Sequence, residues 1–193
     1  MRAQEDHLLH PKYRSDIDGL RAVAVLSVLA FHAFPEFVSG GVVGVDVFFI
    51  ISGYLISTII FENLAQQRFS FKEFYVRRIN RIFPALFLVL LASYVFGWLN
   101  LLADDFAQLG KHIAGGAGFV SNLVLWNESG YFDKAAEVKP LLHLWSLGIE
   151  EQFYFFWPIF IYWMSRWPKR VLPAIVIVAG LSFALNVAFI SSY

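Results

Sequence analysis

Long apolar runs separated by short charged stretches set the pattern of this chain. Crossing the hydrocarbon core of a bilayer takes about 20 mostly apolar helical residues. Five runs meet or approach that length: about Gly19 to Phe34, Val42 to Phe61, Ile82 to Leu102, Leu144 to Trp163 and Val171 to Ile190. Ser15 and Asp18, three apart just before the first run, have the spacing of a capping box. Pro35 closes that run, and the flexible Ser39-Gly40-Gly41 precedes the second. Residues 113–126 are apolar but short and glycine-rich, which predicts an interfacial or re-entrant piece. No repeat, low-complexity tract or linker divides the chain. The expectation is one all-α integral membrane domain, a polytopic bundle of about five transmembrane helices.

Composition strengthens that picture. Hydrophobic residues make up 58% of the chain and charged ones 16%, and both depart from the soluble average. The formal net charge is zero, so no global field favours nucleic acid. With no cysteine, disulfides, thiolate nucleophiles and cysteine-based metal sites are excluded, and no metal site is expected. Residues 1–18 are too polar for a cleaved signal peptide, so the first run is expected to stay as the insertion signal.

The basic residues set the orientation. The N-terminal stretch holds Arg2, Lys12, Arg14 and Arg21, and the segment after the second run holds Arg68, Lys72, Arg77, Arg78 and Arg81. Arg166, Lys169 and Arg170 follow the fourth run, while the intervening side has Lys111, Lys134 and Lys139. The positive-inside rule then puts the N-terminus in the cytoplasm, residues 103–143 in a large outer loop and Tyr193 outside. The short end after the last run reads as a truncated protein or one module of a larger bundle.

Ionisable residues at membrane depth cost a few kcal/mol each and mark partners or wet cavities. Arg21 and His32 share a face of the first span, about 16 Å apart along the axis. Arg21 suits a snorkelling anchor at the cytoplasmic edge. His32 falls in the outer half, where a packing hydrogen bond and a functional role are equally good readings. Glu150 and Glu151 fall on the fourth span, Glu150 about 9 Å below the outer edge. Asp46 enters the second span at a similar depth, with Ser52 and Gly53 nearer the midplane. His32, Asp46 and Glu150 are therefore expected in one layer, as an imidazole base with carboxylates to orient it; a structural polar cluster or a proton relay is the plainer alternative. Arg77, Arg78 and Arg81 share a face if the third helix begins early, which suits phosphate recognition or anionic lipid headgroups.

Four ordered stretches carry a resemblance: Tyr13-Arg14-Ser15-Asp16-Ile17-Asp18-Gly19-Leu20-Arg21-Ala22 with Phe31-His32; Gly44-Val45-Asp46-Val47-Phe48-Phe49-Ile50-Ile51-Ser52-Gly53-Tyr54-Leu55; Phe74-Tyr75-Val76-Arg77-Arg78-Ile79-Asn80-Arg81; and Pro140 through Tyr154. From Tyr13 to Pro158 the chain resembles the N-terminal half of the acyltransferase type 3 family, membrane O-acetylases of envelope glycans. It is most similar to members fused to an extracytoplasmic SGNH hydrolase-like domain. The resemblance implies a multi-pass protein of the cytoplasmic (inner) membrane. Such a protein moves an acyl group, usually acetyl, from cytoplasmic acyl-CoA (acetyl-CoA) to a hydroxyl of lipopolysaccharide, exopolysaccharide or peptidoglycan.

On that reading His32, Glu150 and Asp46 are catalytic, and Arg21, Arg77, Arg78 and Arg81 bind the donor. Ser52, Glu151 and Trp145 line the pocket, with Ser52 a weak candidate acyl carrier. The whole of residues 1–193 is expected to be a truncated membrane domain lacking the later spans and the SGNH-like domain. It would be partnered by acyl-CoA, a glycan acceptor, the bilayer and a complementary C-terminal half or SGNH-type protein, with no nucleic acid. A proton-coupled transporter or flippase, or an inactive fragment needing a partner half, are the competing readings.

Overall fold

The computed structural model describes residues 14–128 and 139–190, all helix, turn or loop with no strand among them. Arg2, Lys12, Tyr13, Lys134 and Tyr193, used above for orientation and motif, lie outside the described residues. Seven α-helices follow in order: α1 Ser15–Ala33, α2 Gly44–Ala65, α3 Phe71–Asn100, α4 Ala103–Ala117, α5 Ser121–Glu128, α6 Leu144–Met164 and α7 Pro168–Ile190. Among the described residues, three stretches are long and apolar enough to cross a membrane: Ser39–Ala65, Phe71–Asn100 and Pro168–Phe189. Helices α1 and α6 have 19 and 21 residues. Their charged residues (Asp16, Asp18 and Arg21; Glu150 and Glu151) lower their hydropathy. The chain is thus a helical membrane protein.

Helix ends show where local rules were overridden. The Ser15–Asp18 capping box does not form. Ser15 is already helical, Arg14 takes the extended cap position, and no side chain caps the helix. Arg14 instead grips Asp16 through two hydrogen bonds of 2.9 and 2.6 Å. The Ser39-Gly40-Gly41 stretch is ordered as a 3-10 turn, Ser39–Val43, with Gly41 buried. Its glycines are there for contact rather than flexibility. A methyl on Gly41 would overlap the Ser27 carbonyl oxygen, and one on Gly44 would sit 2.5 Å from the Ala24 carbonyl oxygen. Small residues at Ala24, Ser27, Gly41 and Gly44 therefore bring α1 and α2 into backbone contact, the packing that membrane helices favour. Helix α3 begins early, at Phe71, where the Ser70 hydroxyl accepts a hydrogen bond from the Glu73 N–H at 3.4 Å.

Helix directions alternate. Ser52 meets Glu150 and Ser57 meets Trp157, so α2 and α6 run parallel. Arg78 lies on Tyr154 and Phe71 on Tyr162, so α3 runs opposite to α6. The α1–α2 glycine contacts make that pair antiparallel, and the Ser165–Trp167 turn folds α7 back beside α6. The Arg166–Arg170 stretch thus lies at one end of the bundle, while Arg78, beside Tyr154, lies midway along α6. His32, Asp46, His143 and Trp145 occupy the other end.

The segment expected to be interfacial or re-entrant is a helical hairpin, α4 and α5. Gly97 of α3 packs against Leu109, Leu90 against Gly116, and Phe83 against Phe119. The hairpin tip thus reaches about 21 Å along α3 from Gly97. Irregular backbone at such depth must be satisfied by protein. The Val120 N–H bonds the Gly115 carbonyl at 2.8 Å and the Phe119 N–H bonds that of Gly116 at 3.2 Å, a Schellman closure. Phe119 holds the left-handed position, φ 55°, where glycine is usual. The Phe119 carbonyl accepts a hydrogen bond from Gln152 Nε2 at 2.8 Å, and the same amide donates to Asn122 Oδ1 at 2.9 Å. Gly148 leaves room for the tip, since a Cβ there would stand 3.2 Å from the Phe119 carbonyl. Gln152→Leu is expected to orphan the Phe119 carbonyl and cost about 1–3 kcal/mol. Thermal unfolding in detergent reads this, and a variant as stable as the parent would contradict the role given to Gln152.

Candidate active site

The early start of α3 puts Arg77, Arg78 and Arg81 on helix, so the condition set by the sequence is met. Arg78 turns inward and stacks over the Tyr154 ring, 3.8 Å from guanidinium carbon to centroid. Cation–π contacts of this kind contribute about 0.5–2 kcal/mol, more as water is excluded. The Tyr154 hydroxyl donates to Glu150 Oε1, and the Ser52 hydroxyl donates to the same oxygen at 2.5 Å. Four residues on three helices thus form a line, Arg78 to Tyr154 to Glu150 to Ser52. One carboxyl oxygen accepts two hydroxyl hydrogen bonds, which offsets the cost of burying that polar atom away from water.

Beside this line, α3, α6 and the hairpin tip enclose a cleft of about 390 Å³. Arg78 and Glu151 supply its charge, and Ile79, Ile82, Phe83 and Phe119 much of its apolar wall. Glu151 Oε1 is buried there and accepts no hydrogen bond. Arg77 is half-buried and Arg81 exposed on the same turns. An elongated ligand with an anionic head and an apolar arm matches such a lining.

At the opposite end, His32 Nδ1 lies 2.8 Å from the Val28 carbonyl oxygen. A carbonyl only accepts, so Nδ1 carries the proton and the neutral ring keeps its lone pair on Nε2. The ring packs edge-on against His143, centroids 4.8 Å apart, at the N-terminal boundary of α6. Trp145 follows on α6 and meets Phe49 at 6.5 Å. Asp46 is exposed in the first turn of α2, at this level of the bundle.

The expected single layer of His32, Asp46 and Glu150 is therefore split. His32 adjoins His143, and Glu150 lies seven residues further along α6, about 10 Å deeper. His32 sits in the last turn of α1, beside the residue before α6, so the count along the first run put it too deep. The group that orients His32 is a backbone carbonyl four residues earlier, and Glu150 is taken by Ser52 and Tyr154. Arg21 lies 4.0 Å from Asp18. Tyr154, His143 and Gln152 were missed as site residues. Tyr154 at i+4 from Glu150 and His143 at i−7 share its helix face, and that spacing was the available signal. Among the described residues, no three His, Asp or Glu side chains are grouped to hold a metal ion.

Long apolar helices running in alternate directions, a helical hairpin packed among them and polar groups paired between helices define a helical membrane protein with an internal polar site. The chain belongs to the acyltransferase type 3 family: the family model for this acyltransferase domain matches residues 14–191. The peptidoglycan O-acetyltransferase OatA of Listeria monocytogenes is 36% identical over 179 residues, covering 88% of this chain and 28% of the relative. The putative peptidoglycan O-acetyltransferase YrhL of Bacillus subtilis is 39% identical over 155 residues, covering 79% and 24%. The O-acetyltransferase OatA of Staphylococcus aureus is 35% identical over 186 residues, covering 94% and 30%. The chain thus spans less than a third of each of these relatives. No solved structure matches it.

Proposed function

We propose that this chain forms the donor-binding part of a membrane O-acyltransferase. It moves an acyl group, acetyl in the simplest case, from cytoplasmic acyl-CoA to a hydroxyl of an envelope glycan. Family membership supports the reaction class, and the names of the relatives support peptidoglycan as the acceptor. The observation that carries the donor side is the cleft between α3 and α6, where Arg78 is the one arginine in a mostly apolar lining that also holds Glu151. In this reading α1, α2, α3, α6 and α7 are five spans of the cytoplasmic membrane, with the N-terminus and the arginine-rich end inside.

Arg78 and Arg81 hold the donor phosphates, and the pantetheine arm lies along the apolar wall. Tyr154 and Glu150 keep Arg78 in place. His32 Nε2 takes the proton as the acceptor oxygen attacks the thioester carbonyl carbon. The C–O bond forms, the C–S bond breaks, and the thiolate leaves as CoA after protonation. The later spans or an SGNH-type partner complete the acceptor side.

Equilibrium binding of labelled acetyl-CoA to the purified chain in detergent tests the donor assignment. Saturable binding is expected, weakened about tenfold or more by Arg78→Ala with Arg81→Ala, since each charged hydrogen bond contributes about 1.5–3 kcal/mol. Equal binding by the double variant, with its fold intact, would remove the arginines from the donor site.

A further inference from the structure

A groove of about 410 Å³ runs between α6 and α7, apart from the donor cleft. Ile149, Phe153, Phe156, Trp157 and Phe160 of α6 line it, with Val178 of α7. The α6 residues recur at spacings of three and four, so they form one stripe of that helix. From Ile149 to Phe160 the stripe is about 16 Å long, close to the roughly 15 Å of hydrocarbon in one leaflet. Its wall is already rigid. The Phe153, Trp157 and Phe160 rings stack in series, centroids 5.0 and 5.3 Å apart. The Trp157 indole N–H donates to the Ser57 hydroxyl at 2.8 Å, which pins the middle ring to α2. Gln152 also lines the groove, but its amide is committed to the Phe119 carbonyl and Asn122, so the part of a ligand lying here must be apolar. Direct packing of α7 on α6 is confined to the turn end, where Val171 and Ile175 meet the cluster around Ile161. From Val176 to Phe189 every residue of α7 is exposed.

We propose that this groove holds an anionic phospholipid, with one acyl chain along the aromatic wall and the phosphate at Arg166 and Arg170. The proposal is independent of the acyltransferase reading. Charge carries the headgroup assignment. The α6–α7 turn and the first turn of α7 present Arg166, Lys169 and Arg170, all exposed, and no Asp or Glu occurs at positions 152–193. Arg170, Ala174 and Val178 stand four apart, so Arg170 lies two turns from the groove on adjoining positions of α7. Long arginine side chains cover such a distance by lying along the helix with the charge in the headgroup layer. Trp163 and Trp167, edge-on at 5.4 Å, mark the level where indoles meet headgroups. Size carries the chain assignment. A helix spanning the same length at a diameter of about 10 Å would need roughly 1,300 Å³, about three times the groove, whereas a single alkyl chain is far narrower. A chain lodged here fills the gap beyond Ile175 and ties α7 to α6 where the two helices make little contact of their own.

The test is native mass spectrometry of the purified, delipidated chain titrated with phosphatidylglycerol or with phosphatidylcholine of the same acyl chains. One phosphatidylglycerol is expected to bind about tenfold more tightly than phosphatidylcholine. Arg166→Gln with Arg170→Gln is expected to bring the two lipids to equal affinity. Val178→Trp, which fills the groove, is expected to weaken both about fivefold or more. All three positions are exposed, so the variants keep the fold. Equal binding of the two lipids by the parent, or a preference that survives the double variant, would overturn the headgroup site. Unchanged affinity in Val178→Trp would overturn the groove as the place of the chain. Glycerol phosphate has the head without the chain and is expected not to compete; effective competition would make the basic turn a plain anion site. The same preference is expected in the full-length protein, and its loss there would mean that a later span covers the groove in place of lipid.

Discussion

His32→Ala is expected to lower glycan acylation by about 10²–10⁴-fold, the range for removing a general base, while acetyl-CoA binding stays at the parent level. The expectation follows from the geometry of the ring. Nδ1 is committed to the Val28 carbonyl, so Nε2 is the only position able to take a proton from an attacking hydroxyl. The exposed ring packs on His143 and does not line the donor cleft, so its loss leaves that cleft untouched. A structural role would show differently: it would lower thermal stability and donor binding along with the rate. Acylation within a few-fold of the parent would remove His32 from the reaction.

Gly41→Val is expected to cost about 3 kcal/mol, the upper end of overpacking penalties, and to remove most activity at temperatures where the parent is stable. A Cβ at this position meets the Ser27 carbonyl oxygen and lies 2.7 Å from Phe31 Cβ. The first of these is backbone, so the clash is relieved only by moving α1 away from α2. That movement carries the His32 end of α1 off His143. Thermal unfolding in detergent, with the acylation rate measured beside it, checks both consequences. Parent-like stability would mean that the α1–α2 contact is looser than drawn. By comparison, a Cβ at Gly40 meets nothing within 4 Å, and alanine there is expected to be tolerated.

Much of the fold was legible because bilayer thickness leaves few choices. The limits of α6 and α7 fall within a few residues of the runs read from hydropathy, and residues 113–126 were legible from length and glycines as too short for a span. What was not legible depended on contacts between distant residues. The depth of the α4–α5 hairpin is set by Gly97, Gly116 and Gly148, each small because another helix or backbone approaches it. The capping box failed because the helix starts one residue earlier, with Ser15 already helical and Arg14 at the cap, a choice that spacing alone does not reveal.

The candidate site followed the same division. Residue types at depth identified His32, Glu150 and the arginines. Partners did not follow from matched depth, since a two-turn offset on α6 separates Glu150 from His32. Tyr154 joins Arg78 to Glu150 across α3 and α6, a link visible only once the helices are packed. Gln152 holds the hairpin tip through a backbone carbonyl, for which a sequence carries no mark.

The most direct test of the acyltransferase assignment is reconstitution of the full-length protein in vesicles, with labelled acetyl-CoA supplied only on the arginine-rich side and a glycan acceptor only on the other. The expected result is label in ester linkage on the glycan, dependent on Arg78 and His32. Label retained entirely as acetyl-CoA or free acetate, in vesicles holding folded protein and acceptor, would contradict the assignment.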